Sequence, residues 1–307
     1  MEKIILKDYQ ENPIHVYLYK PVDTIKGVVH VIHGASEHFA RYGLFAEFLN
    51  KNGYLVIGCD FLGHGLSTET LDYVHFADKD GDILAYESVV LVKEYIEENY
   101  KDYDVFVVGH SMGSFLARKL ILDFPDFYKK AVISGTAFSP KMVVTMGSFL
   151  IKVIRLFKGP KHVSPMIQNM AIDSNPNKMR KDGIITGINE EWLTRDTEIQ
   201  QYYKNSKMCG QPFTIQANLD MFQWLSFDNN KKNLNNGNKD MPIYFMSGAN
   251  DPLSTYGADI RKLFKVMQDL GYKNVKMKLF PECRHEILNE LNKDEVYKEM
   301  LDFIKAK

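Results

Sequence analysis

At 307 residues the chain can hold one large α/β domain, or a core domain carrying an insertion. Its 45% hydrophobic content is ordinary for a globular protein, and 38 basic against 39 acidic side chains exclude a nucleic-acid footprint. Three cysteines, Cys59, Cys209 and Cys283, form neither a disulfide framework nor a zinc pattern and point to a reducing, cytoplasmic compartment.

The N-terminal MEKIILKDYQ lacks the apolar core of a signal peptide. Ile14 to Lys20 (IHVYLYK) predicts a strand. Gly27 to Ile32 (GVVHVI) predicts a buried strand that ends at His33-Gly34. Residues 40–51 predict a helix stopped by Asn52-Gly53. Tyr54 to Cys59 is a further strand. Residues 82–99 predict a helix with Leu84, Val89, Val92 and Ile96 on or near one face. A strand over 103–108 feeds a helix over 114–122, and Ala131 to Ser134 is the next strand. The alternation resumes with strands at 242–247 and 275–280 and helices at 257–270 and 293–305. Strands alternating with helices predict a mostly parallel sheet covered on both faces.

Residues 137–239 interrupt that rhythm. They open with MVVTMGSFLIKVIRLF (142–157), apolar on nearly every side of a helix, and close with the polar run 228–240, which reads as a loop. The expected organisation is a core of 1–136 and 240–307, with 137–239 inserted as a helical cap over the carboxyl edge of the sheet. The 142–157 run carries Lys152 and Arg155 and is too short for a membrane span.

Gly109-His110-Ser111-Met112-Gly113 reads G-x-S-x-G between a strand and a helix, the setting of a nucleophile elbow. A serine hydroxyl needs a base, the base an orienting acid, and the developing oxyanion two donors. In this architecture the acid and then the base follow the serine in the chain. Asp251, after the 242–247 strand, is the candidate acid. His285, just past the last strand, is the candidate base. Asp240 is weaker because it precedes its strand, and Glu282 and Glu286 lie too close to His285. The Met112 amide is one expected oxyanion donor. The second comes from His33-Gly34-Ala35-Ser36, where one step past the His-Gly pair gives the Ala35 amide. The loop 60–67 (DFLGHGLS) reads as support for the sheet's upper edge. His30, His33 and His38 do not make a metal site, because His30 and His33 point to opposite faces of a strand. No cofactor is expected.

HGASEH with Arg41-Tyr42, DFLGHGLS, GHSMG, SGANDPLS (247–254) and RHEILNE (284–290) occur in one order along residues 27 to 290. This set resembles the α/β-hydrolases of the monoacylglycerol lipase and lysophospholipase branch, also labelled a serine aminopeptidase-like domain. The resemblance implies Ser111 as nucleophile, Asp251 as acid, His285 as base and Ala35 and Met112 as oxyanion donors. It implies a serine ester hydrolase for a small acyl ester, with 137–239 shaping the acyl pocket. The apolar cap run adds the expectation of transient contact with a lipid surface. The alternatives are an aminopeptidase, whose amine-holding carboxylates could be Glu190, Glu191 or Asp196, and a non-catalytic binding protein on the same fold. Ser114 departs from the second glycine that many relatives carry after the elbow, which predicts altered packing without loss of chemistry.

Overall fold

Eight strands form one sheet in the computed structural model, which describes residues 1–306. They are β1 (Glu2–Lys7), β2 (Pro13–Tyr19), β3 (Gly27–Ile32), β4 (Tyr54–Asp60), β5 (Val105–His110), β6 (Lys130–Ser134), β7 (Ile243–Gly248) and β8 (Val275–Phe280). The order across the sheet is β1-β2-β4-β3-β5-β6-β7-β8. β1 and β2 run antiparallel to their neighbours, and from β4 through β8 the pairing is parallel. This is the mostly parallel sheet expected from the alternation, in the α/β-hydrolase arrangement that the motif resemblance implied.

The helices are α1 (Gly43–Lys51), α2 (Gly81–Asn99), α3 (Met112–Asp123), α4 (Lys141–Lys158), α5 (Pro165–Gln168), α6 (Ser174–Lys181), α7 (Thr197–Asn205), α8 (Ile215–Asp228), α9 (Lys231–Asn235), α10 (Ala258–Asp269) and α11 (Lys293–Lys305). Successive strand residues point to opposite faces, so each central strand feeds two cores. Val28, Val107, Ile133 and Phe245 meet Leu84 and Val89 of α2, Leu116 and Leu120 of α3 and Ile260 of α10. Val29, Val108, Val132 and Met246 meet Phe45 and Leu49 of α1 and Val296 and Met300 of α11. The parallel strands are therefore apolar at nearly every position, which is why they read as continuous runs.

Three local readings change. Residues 2–7, unassigned from sequence, form the edge strand β1, where only Ile4 and Leu6 gain partial cover. The polar run 228–240 is not all loop: Asn230 caps the short helix α9 through a side-chain bond to the Lys232 amide, 3.0 Å. The apolar run at 142–157 is helical, as α4, but it is not wrapped by protein. It packs on α8 and buries only Val144 and Ile151. Met142, Met146, Phe149, Leu156 and Phe157 face outward. Among the described residues, no helix is long and apolar enough to cross a membrane.

Between β6 and β7 all regular elements are helices, α4 to α9. The last long one, α8, contributes Ala217, Trp224 and Leu225 to the core beside α2 and α3. It thereby anchors the whole segment.

Candidate active site

β5 runs to His110 and α3 begins at Met112, so Ser111 alone makes the turn. Its backbone lies at φ +52° and ψ −123°, a conformation that costs a non-glycine residue free energy. The flanking glycines explain how so sharp a turn fits. A side chain at Gly113 would strike the carbonyls of Ile32 and His33, and one at Gly109 would meet the Gly113 carbonyl and the Ala117 methyl. α3 can therefore press against β3 and β5 only because both positions are bare. Ser114, where a further glycine was the alternative, is wholly buried, and its hydroxyl donates to the Ser111 carbonyl. The expected packing difference is this added tie across the elbow.

Ser111 Oγ lies 2.8 Å from Nε2 of His285. His285 Nδ1 lies 3.1 Å from Oδ1 of Asp251, at an angle off the line of a straight hydrogen bond. Asp251 follows β7 and His285 follows β8, so neighbouring strand ends bring acid and base together. Asp251 is fully buried and also accepts from Ser247 Oγ (3.0 Å) and the Leu253 amide (2.9 Å). Burial alone would raise its pKa, but His285 and these donors hold it below its ordinary value. Burial alone would lower the His285 pKa, but the Asp251 carboxylate outweighs this and lifts it above its ordinary value. Neighbouring His110 is pushed down to about 3, by burial first and by His285 second.

Among the described residues the amides of Ala35 and Met112 have no hydrogen-bond partner, and both residues line the same cavity as Ser111. The loop that carries Ala35 is pinned on both sides. The Gly34 amide donates to Glu37 Oε1 at 2.6 Å, and the Ser36 amide donates to His64 Nε2 at 3.1 Å. His64 belongs to the 60–67 loop, which supports the sheet edge as expected. Asp60 there accepts from Tyr17, the Phe39 amide and the Leu66 amide. His33 stacks on Phe61 and His30 bonds Tyr128, so the two lie apart. Asp240 pairs with Lys273 on the surface, away from His285.

Sequence reasoning missed the buried network behind this loop. Arg41 pairs with Glu37 and reaches Glu286 through two bonds, of 2.8 and 2.6 Å. All three side chains are at most 4% exposed. Burial would push the Glu37 carboxyl up, and Arg41 overrides it, holding the group ionised below its usual range. The Arg41-Tyr42 pair beside HGASEH was the available signal, yet the Glu286 partner is distant in the chain. Arg41→Leu should strand two buried carboxylates and cost about 3–5 kcal/mol of stability, read by urea unfolding. A loss under about 1 kcal/mol would remove the network from the fold's supports.

The cavity above Ser111 holds about 470 Å³. Its walls combine core residues with the α4–α8 segment. Phe115, Val143, Met170, Met221, Phe222 and Leu225 make an apolar side. Gln168 and Asn175 bring buried amide atoms, Oε1 and Nδ2, that have no partner. The acidic side chains Glu37, Asp173, Glu190 and Glu286 reach the lining, and among the described residues no lysine or arginine does. Of the other carboxylates weighed from sequence, Asp196 is used as the cap of α7.

Residues 23–292 match a family model described as "Serine aminopeptidase, S33". A monoglyceride lipase homolog of Monkeypox virus is 31% identical over 121 residues, 39% of this chain and 42% of that protein. The monoglyceride lipase of Mus musculus is 31% identical over 116 residues, 38% of this chain and 36% of that protein. The chain thus spans less than half the length of these curated relatives. A carboxyl esterase structure from Bacillus coagulans superimposes with a TM-score of 0.86 at 21% identity, covering 99% of this chain and 97% of that one. That likeness bears on the fold. With the family match running through all five motif blocks, the chain belongs to the α/β-hydrolase family described as serine aminopeptidase S33.

Proposed function

We propose that the protein is a serine ester hydrolase that acts through an acyl-enzyme on a single-chain acyl ester. The observation that carries this reading is the 2.8 Å hydrogen bond between Ser111 Oγ and His285 Nε2, with the carboxylate of buried Asp251 3.1 Å from Nδ1 of the same ring. Ser111 Oγ attacks the ester carbonyl while His285 Nε2 takes its proton. The carbonyl oxygen becomes an oxyanion facing the Ala35 and Met112 amides. As the carbon–oxygen bond breaks, His285 returns the proton to the leaving alcohol. Water then attacks the acyl-enzyme with the same base, and Ser111 is released. Asp251 keeps the Nδ1 proton in place and stabilises the imidazolium. The raised His285 pKa predicts that activity falls as pH drops, at a higher pH than an ordinary histidine would give.

The names of the relatives favour monoacylglycerol as substrate. The cavity supports this over a lysophospholipid. An apolar wall suits an acyl chain, and the polar lining residues Ser139, Gln168, Asn175 and Asn189 suit glycerol hydroxyls. A phosphate would meet the Asp173 and Glu190 carboxylates, with Arg41 already engaged by Glu37 and Glu286. The acidic lining also favours a second reading, an aminopeptidase whose substrate amine sits against Glu190 or Asp173. Hydrolysis of aminoacyl-coumarins faster than of acyl esters would establish it.

In this reading residues 137–239 act as the cap, and the outward face of α4 touches a lipid surface. The stretch 141–172 holds five basic side chains and no acidic one, which suits an interfacial helix. The three unpaired cysteines accord with a cytoplasmic location. An ester series from acetyl to palmitoyl should peak at the longer chains. Phe149, 69% exposed, lies outside the cavity lining. Phe149→Glu should cost about tenfold in rate on aggregated long-chain ester and leave dissolved butyrate unchanged. A peak at acetyl, or equal loss on both substrates, would count against the lipid reading.

A further inference from the structure

Trp192 ends the short 3-10 turn Asn189–Trp192 between α6 and α7. Its indole lies over the His285 imidazole, with ring centroids 4.7 Å apart and planes at 23°. His110 approaches the same imidazole at 4.8 Å and 48°. The stack is held by a seam of bonds rather than by one chance contact. The His285 amide donates to the Trp192 carbonyl at 3.4 Å, and the Glu286 amide donates to the Leu193 carbonyl at 2.7 Å. Arg284 Nη1 donates to the Thr194 carbonyl at 3.2 Å, and Thr194 Oγ1 donates to the Asn289 carbonyl at 2.8 Å. Arg195 reaches Glu290, which also receives the Arg284 amide. Residues 192–195 are therefore tied to the loop that carries the candidate base, while Trp192 itself lines the cavity.

An aromatic face against an imidazole does two things. It limits rotation of the ring about χ2, and it stabilises the imidazolium more than the neutral ring, because the face is electron-rich. We infer that Trp192 is a positioning residue for His285, setting the plane of its ring and stabilising its protonated form during acyl transfer. This rests on the reading of His285 as the base for Ser111. The other groups that bear on His285 come from separate elements: Asp251 after β7, His110 at the end of β5, and Glu37 with Arg41 after β3. Glu286 adjoins it in the chain and is tied to Arg41. Trp192 is the aromatic partner the inserted segment supplies.

Three readouts test this. Trp192→Leu keeps an apolar cover and removes the π face. Its kcat should fall roughly three- to thirtyfold while KM moves less than about twofold, and the acid limb of kcat/KM should shift to lower pH by about half a unit to one unit. Trp192→Phe should recover most of both effects. The third readout needs no turnover. Protonated imidazole quenches a stacked indole, and the chain has two tryptophans, Trp192 and Trp224. Emission should therefore drop as His285 protonates, and the step should vanish in both Trp192→Phe and His285→Gln. An acid limb that stays or moves upward in Trp192→Leu, or an emission step that survives in His285→Gln, would overturn the inference. Fluorophosphonate labelling of the unsubstituted chain separates the two claims. Its absence would defeat the ester-hydrolase reading whatever the emission shows.

Discussion

Ser111→Ala is expected to lower kcat/KM on a short p-nitrophenyl ester by ~10⁴-fold or more, with residual turnover left to the oxyanion donors and substrate binding. The reason is that the reacting oxygen itself is removed, and nothing nearby replaces it. Ser114, the nearest hydroxyl in the elbow, points back to the Ser111 carbonyl and is wholly buried. The Ser111 side chain makes no helix-capping bond, and alanine keeps the same left-handed backbone demand, so the thermal midpoint should hardly move. Activity lost with the fold intact is the discriminating combination. Retained activity would place the chemistry on another residue.

Asp251→Asn should cost nearly as much, on the order of 10⁴-fold in kcat, although the shape of the site is preserved. The carboxylate beside Nδ1 makes the proton on that nitrogen the favoured tautomer, which leaves Nε2 free to accept from Ser111. An amide can instead donate to Nδ1, which puts the proton on Nε2 and removes the base. With the NH2 in the Oδ1 position, Ser247 can still donate to the remaining oxygen, while the Leu253 amide loses its acceptor. The charge that raises the His285 pKa would be gone, so the acid limb of any residual activity should move to lower pH. A loss under tenfold, or an acid limb that moves upward, would argue against Asp251 as the orienting acid.

The central strands and helices were legible because burial on both faces leaves long apolar runs, and the 3.6-residue period marks α10 and α11. Ser111, Asp251 and His285 were legible because each follows a strand in one order, and the structure brings the three side chains together. The rest depended on contacts that no local pattern carries. β1 is an edge strand whose alternation is shallow, since only one side of it meets the sheet. Arg41 finds Glu286 across 245 residues, and the ends of β3 and β8 must be in place before that pair exists. Trp192 reads as one aromatic residue in an irregular segment, and its stack on His285 appears only once the 189–196 chain is laid against the 284–290 loop. For α4, composition showed an apolar helix but could not say that α8 would cover Val144 and Ile151 and leave Phe149 and Phe157 outside.

If Ser111 forms a covalent acyl intermediate, a fluorophosphonate should trap the same residue at its hydroxyl. The chain is treated with a fluorophosphonate, and the adduct is located by peptide mass spectrometry. One adduct per chain is expected, on the peptide containing Gly109-His110-Ser111-Met112-Gly113, lost in Ser111→Ala and sharply slowed in His285→Gln. No adduct on the intact, folded chain, or an adduct on a different serine, would contradict it.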